Sequence, residues 1–159
     1  MTPSTLFRFP LALLPLIALT LGVWAHESRA DDSVPVEYSN AGSPLVGDFP
    51  FTAAVRVGDL LILSGQIGNL PGTTTLAPGG IKAEAKQVLE NIKHILEASG
   101  SSMDRVVKCT AMIADIDEWA DFNEVYVTYF PGPKPARSAF ESSGLAFNAR
   151  VELECWAAN

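Results

Sequence analysis

The chain has 159 residues, 48% of them hydrophobic and 18% charged, with 18 acidic side chains against 11 basic ones and a formal net charge of −7. That length suits one ordinary domain, and the acidic balance, with no basic run or aromatic-interleaved basic stripe, speaks against nucleic acid as a partner. With two histidines and two cysteines the chain shows no plausible His-rich metal set and no obvious Ser-His-Asp or Cys-His set, so its chemistry is expected from carboxylates, arginine, amides and the backbone.

Residues 1–30 are organised differently from the rest. A single basic residue, Arg8, precedes the apolar run Phe9 to Val23, and two small-residue exits follow, Val23-Trp24-Ala25 and Ser28-Arg29-Ala30. That order describes a secretory signal peptide, cut after Ala30 where Asp31-Asp32 opens a polar segment. The competing reading is an uncleaved membrane anchor. The run is near the lower limit for spanning, and Pro10 and Pro15 interrupt it. Cleavage removes Arg8, Arg29, Glu27 and His26, leaving nine basic residues against seventeen acidic, a net of −8, with His94 as the one histidine. The mature protein is then expected to be periplasmic or secreted, with no membrane attachment.

Residues 31–48 form an irregular lead-in rich in Pro, Gly, Ser and Asn, with a short strand at Val36 to Tyr38; the domain proper is expected over 49–159. Ala53 to Val57 and Leu60 to Ser64 read as a hairpin around Gly58-Asp59. The Gly65 and Gly68 pair that follows lets backbone approach something closely. Leu70 to Gly80 is a loop. Ile81 to Ser99 is the clearest helix, with Ile81, Ala85, Val88, Leu89, Ile92, Ile95 and Leu96 on one stripe and Gly100 as its stop. His94 falls off that stripe and reads as solvated. Arg105 to Ala114 suits a central strand.

Asp115 or Asp117 caps a second helix running to about Tyr129. Its Trp119, Phe122 and Tyr126 share a face and read as core, while Asn123 stands at the edge of that stripe. Pro131-Gly132-Pro133 ends the helix. Arg137 to Ser142 and Val151 to Ala157 are the last strands. The period of two puts Glu152, Glu154 and Trp156 on one side of the final strand and Val151, Leu153 and Cys155 on the other. The order of elements gives an α+β fold, one sheet with both helices on one face.

Two features stay open on residues alone. Arg137, between the loop of Pro131, Pro133 and Pro135 and the apolar pair Ala139-Phe140, is either a surface arginine whose stem snorkels along the sheet or a guanidinium fixed to grip a carboxylate. Cys109 and Cys155, both in strands, either pair in an oxidising compartment or remain buried thiols acting as small hydrophobes. The thiol reading is the favoured one, because spacing does not settle bond geometry.

In order along the chain stand Leu63-Ser64-Gly65-Gln66-Ile67, Gly80-Ile81, Leu89-Glu90-Asn91-Ile92-Lys93 and Val106-Val107-Lys108. Asn123-Glu124-Val125-Tyr126, Pro135-Ala136-Arg137-Ser138 and Val151-Glu152-Leu153-Glu154 complete the series. Together these resemble the Rid family, the reactive imine deaminases also called the YjgF family, from about Phe49 to Ala157. The resemblance implies a chorismate-mutase-like fold, three subunits packed around a central barrel, and active sites between neighbours. It implies hydrolysis of 2-imino and enamine acids, such as 2-iminopropanoate and 2-iminobutanoate, to 2-oxo acids and ammonia without cofactor or metal.

In that reading Arg137 binds the substrate carboxylate bidentately and Glu152 activates water as general base. Phe51, Ser64, Gly65, Asn123 and Ala139 line the pocket. The chain departs from the family at Phe51, where a tyrosine is common, and at Ala139, where a cysteine is common. The alternative on the same fold is a non-catalytic trimer that binds small acids or acts as a holdase. Ribonuclease and translation-inhibitor roles linked to the family sit poorly with a net charge of −8.

Overall fold

The structure, a computed structural model, describes residues 33–158. The expected signal peptide lies outside the described residues. Among the described residues no helix is long and apolar enough to cross a membrane. Among these residues seven strands form one sheet: β1 (Val36–Ser39), β2 (Ala54–Val57), β3 (Leu60–Leu63), β4 (Gln66–Ile67), β5 (Val106–Ile113), β6 (Ala136–Glu141) and β7 (Val151–Ala158). Their order across the sheet is β1-β2-β3-β7-β5-β6, with β4 also paired to β7. The lead-in thus supplies an edge strand, and the last strand in sequence is the central one. The β2–β3 hairpin turns on Gly58, whose φ of 55° is one that glycine adopts at no steric cost.

The expected second strand of that hairpin is in fact two strands. Ile62 pairs with Trp156 and Gln66 with Leu153, so one more step is taken on this side than on β7. That bulge falls at Leu63 to Gly65 and turns the chain where the motif Ser64-Gly65 stands.

Helix α1 (Ile81–Ala98) buries its whole predicted stripe, with Ala85, Val88, Leu89, Ile92, Ile95 and Leu96 all fully buried. Each large apolar side chain so removed from water contributes roughly 1.5–3 kcal/mol. The last turn of α1 has no basic residue of its own. Arg56 of β2 supplies one from outside, its Nη2 donating to Ser99 O at 2.5 Å. Helix α2 (Trp119–Tyr126) is shorter than expected. A 3-10 turn at Ile116–Glu118 precedes it, capped by Asp115 Oδ1 accepting from Asp117 N at 3.0 Å, and another at Val127–Tyr129 follows. Lys82 ties the two helices through Asp121 and Glu124, at 3.2 and 2.8 Å.

On β7, Val151, Leu153, Cys155 and Ala157 are fully buried under the helices, and Glu152, Glu154 and Trp156 face the other way. Cys109 and Cys155 are directly opposed on β5 and β7, with Cα atoms 4.2 Å apart, and they form a disulfide. This corrects the expectation of two buried thiols. Strand register, which spacing in the sequence does not carry, brings the two sulfurs together.

Candidate active site

Arg137 is the second residue of β6 and lies in one row with Cys109 and Cys155. It therefore points to the helix side of the sheet. There its guanidinium carbon sits 4.5 Å from the ring centre of Tyr126, 4.9 Å from Trp119 and 5.6 Å from Phe122. The aromatic stripe of α2 is consequently more than core: its outer edge is a platform for a cation, each contact of this type being worth about 0.5–2 kcal/mol. Arg137 has no ion pair among the described residues, so its fork of donors is free for an external anion. The Tyr126 hydroxyl is buried without a hydrogen-bond partner among the described residues. Desolvation pushes its pKa up to about 12, with the Arg137 charge pulling the other way, and it stays a neutral phenol. Asn123 is half-buried on the same helix, and Ala139 follows two residues after Arg137 on the same side of β6.

Glu152 stands on the opposite face. It is three residues from Cys155 on β7, and alternation sends it away from the helices. It lines a cavity of about 340 Å³ with Leu45, Phe49, Phe51, Ile67 and Phe147. Burial, and then the neighbouring Glu154, raise its pKa above the ordinary carboxylate value. Gly65 gives the carboxylate its place. A methyl group at position 65 would stand 2.0 Å from Glu152 Oε1, so the carboxylate keeps this place only while residue 65 lacks a side chain. Ser64, on the bulge, donates its hydroxyl to Thr52 O at 2.6 Å.

The proposed residues thus fall into two half-sites. Phe51, Gly65 and Glu152 meet in one cavity, Ser64 adjoins it, and Arg137, Asn123 and Ala139 lie behind the sheet. One chain does not bring Arg137 and Glu152 together.

Several positioning groups escaped sequence reading. Asn91 on α1 is buried and donates through Nδ2 to Ile67 O at 3.0 Å and Asn69 O at 2.9 Å, which pins β4 beside the cavity. Glu84 is also buried on α1. Its Oε2 accepts the backbone N–H of Arg150 at 2.8 Å, and burial raises its pKa. The Arg150 side chain is held in turn by Glu118, at 2.9 and 2.7 Å from Nε. Together they fix the start of β7 two residues ahead of Glu152. The hint for both α1 residues is their helical spacing beside the apolar stripe, but their partners are distant backbone. Phe49 and Phe147 carried no signal of their own.

A family model described as Endoribonuclease L-PSP matches residues 45–159. The mouse 2-iminobutanoate/2-iminopropanoate deaminase is 43% identical over 105 residues, 66% of this chain and 78% of that protein. Among solved structures, yeast YEO7 has a TM-score of 0.75 at 40% identity, over 79% of this chain and 99% of that one. E. coli TdcF with bound serine has a TM-score of 0.72 at 28% identity, over 77% and 98%.

Proposed function

We infer that this chain, which belongs to the endoribonuclease L-PSP family, is a hydrolytic deaminase of 2-imino acids, releasing a 2-oxo acid and ammonia. One observation carries the reading: a guanidinium with no anion against it among the described residues and a carboxylate held in an apolar cavity, the two groups such a hydrolysis needs. Arg137 takes the substrate carboxylate with two parallel N–H···O bonds. Glu152 takes a proton from water as the oxygen bonds to the imine carbon, and the C=N electron pair moves to nitrogen, which gains a proton. The resulting carbinolamine then loses ammonia as its hydroxyl proton leaves and the carbonyl forms. Ser64, Gly65, Phe51, Asn123 and Ala139 border the reacting carbon. The serine bound by TdcF has the same carboxylate with a nitrogen on the adjacent carbon.

Because Arg137 and Glu152 occupy opposite faces of one sheet, the reading requires at least two copies, and we propose a homotrimer with sites in the clefts between subunits. Support comes from the face away from the helices. Tyr38, Val55, Ile62, Trp156, Lys108 and Ala136 form one row across the sheet, and Tyr38 is 72% exposed. Apart from Lys108, whose Nζ donates to Ser138 Oγ at 3.0 Å, this row is apolar or aromatic, and such a strip on a sheet face suits an interface with another copy. The N-terminal pattern supports export, and the disulfide fits an oxidising compartment.

The test generates imines from amino acids with an oxidase and follows ammonia and 2-oxo acid release by the mature protein. Wild type accelerates hydrolysis, and Arg137→Ala lowers kcat/KM by at least about tenfold, as loss of a charge-assisted contact implies. Equal rates with and without the arginine contradict the assignment. Binding of 2-oxo acids without turnover supports the non-catalytic alternative instead.

A further inference from the structure

Glu152 shares its cavity with more apolar surface than a methyl or ethyl side chain can use. Phe49 and Phe51 stand with ring centres 5.5 Å apart, and Leu45, Ile67 and Phe147 complete the wall. The volume of about 340 Å³ equals roughly eleven waters at about 30 Å³ each. Phe147 reaches this wall from an unusual backbone. It has φ 57° and ψ 21°, followed by Asn148 at φ 60°. Asparagine tolerates the left-handed region; a phenylalanine there costs of order 1–2 kcal/mol. Its turn is closed by Asn148 N donating to Leu145 O at 3.1 Å and Ala149 N to Ala146 O at 3.0 Å. Fully buried Ala149 anchors the far end. Within one chain, a strained backbone that leaves this ring about half exposed beside the proposed base has no packing rationale.

We propose that this cavity is a side-chain subsite for bulky apolar 2-imino acids, those with branched aliphatic or benzyl arms, and that Phe147 sets this specificity. The inference rests on the deaminase reading and narrows its substrate class. With the reacting carbon held at Glu152, a methyl arm leaves most of the cavity to water lying against aromatic rings. A benzyl or isobutyl arm displaces that water and stacks on Phe49, Phe51 and Phe147. Phe147 and Phe51 also tie the subsite to segments outside the strands, so its shape varies without disturbing Glu152, Gly65 or the sheet.

The experiment compares kcat/KM for imines made in situ from phenylalanine, leucine, alanine and 2-aminobutyrate. Wild type favours the phenylalanine and leucine imines over the alanine imine by at least about tenfold. Phe147→Asn, which suits the left-handed backbone and removes the ring, narrows that ratio about fivefold or more. A wild type that prefers the short imines overturns the proposal, and so does a ratio unmoved by Phe147→Asn. A variant that alters only the stability of the assembly also overturns it, because the ring would then serve packing between copies. Should Phe147→Asn not fold, Phe51→Ala is read on the same ratio.

Calorimetric titration with phenylpyruvate and pyruvate separates this inference from the one beneath it. Tighter binding of phenylpyruvate, abolished in the variant, upholds the subsite even where no imine turns over. Equal binding alongside turnover of short imines overturns the subsite and leaves the deaminase reading standing.

Discussion

Arg137 and Glu152 lie on opposite faces of the same sheet, with β5 between their strands and Glu152 three positions along β7 from the Arg137 row. Neither can swing through the sheet. A site using both must take Arg137 from one copy and Glu152 from another, and that has a measurable consequence. Arg137→Ala and Glu152→Gln proteins are each strongly impaired alone. Co-assembled at random in equal amounts, about one cleft in four carries both native groups in a closed ring of three, so about a quarter of wild-type activity returns. A mixture no more active than its components argues for a site within one chain and against the arrangement.

Gly65 is tested by the smallest possible change. Gly65→Ala puts a methyl where Glu152 Oε1 now lies. The atom displaced is the end of a flexible side chain, so the fold absorbs the change and the melting temperature moves by only a few degrees. The carboxylate does not return to its place, and misplacement by about 1 Å costs on the order of a hundredfold in rate. The expected signature is kcat lost with stability nearly kept. If both are kept, Glu152 does not act from the position it occupies.

Glu152 also sets a pH dependence. Desolvation first, and Glu154 second, raise its pKa in the folded chain. As a base it works only when ionised, so kcat/KM falls as pH drops through that raised value, above where an ordinary glutamate would titrate. Glu154→Gln removes the like charge and moves this acid limb down. The stability sign is opposite: the fold prefers the protonated acid, so the contribution of Glu152 is full below its unfolded pKa and is lost as pH rises through the folded one. Glu152→Gln is therefore expected to raise the melting temperature at pH 7 while lowering kcat by at least about a hundredfold. A variant that melts lower at pH 7 than at pH 4 relative to wild type reverses the sign and removes the argument.

The two periodicities explain what could be read in advance. Val88, Leu89, Ile92, Ile95 and Leu96 announced α1 and its buried side because a helix returns to the same face every three or four residues. Val151, Leu153 and Cys155 separated from Glu152, Glu154 and Trp156 because strands alternate. What stayed hidden depends on which strands become neighbours. The opposition of Cys109 to Cys155 needs the β5–β7 register. The placement of Arg137 behind Glu152 needs β5 between β6 and β7, and the break into β3 and β4 needs a bulge. Asn91 and Glu84 look like ordinary polar helix residues until distant backbone, Ile67 and Arg150, arrives against them. The left-handed Phe147 has no sequence mark, since nothing in Leu145-Ala146-Phe147-Asn148 beyond the asparagine suggests that conformation.

The disulfide offers the last check, because it joins stability, compartment and site. It closes a loop of sequence separation 46, for which chain entropy gives roughly 4 kcal/mol, with about 2–4 kcal/mol typical of measured cases. Both cysteines are fully buried in the core cluster, so replacing the pair by alanine removes packing as well as the link. The Cys109→Ala/Cys155→Ala protein is expected to lose at least about 2 kcal/mol in urea unfolding. Arg137 pairs with Cys109 across β5 and β6, so loosening this row raises KM more than it lowers kcat. If the proposed export takes place, the exported protein carries no free thiol when denatured, whereas protein made in a reducing cytosol carries two. Full stability in the reduced chain would show that the sheet's packing holds these strands without the link, and two free thiols in the exported protein would remove the disulfide from the argument for its compartment.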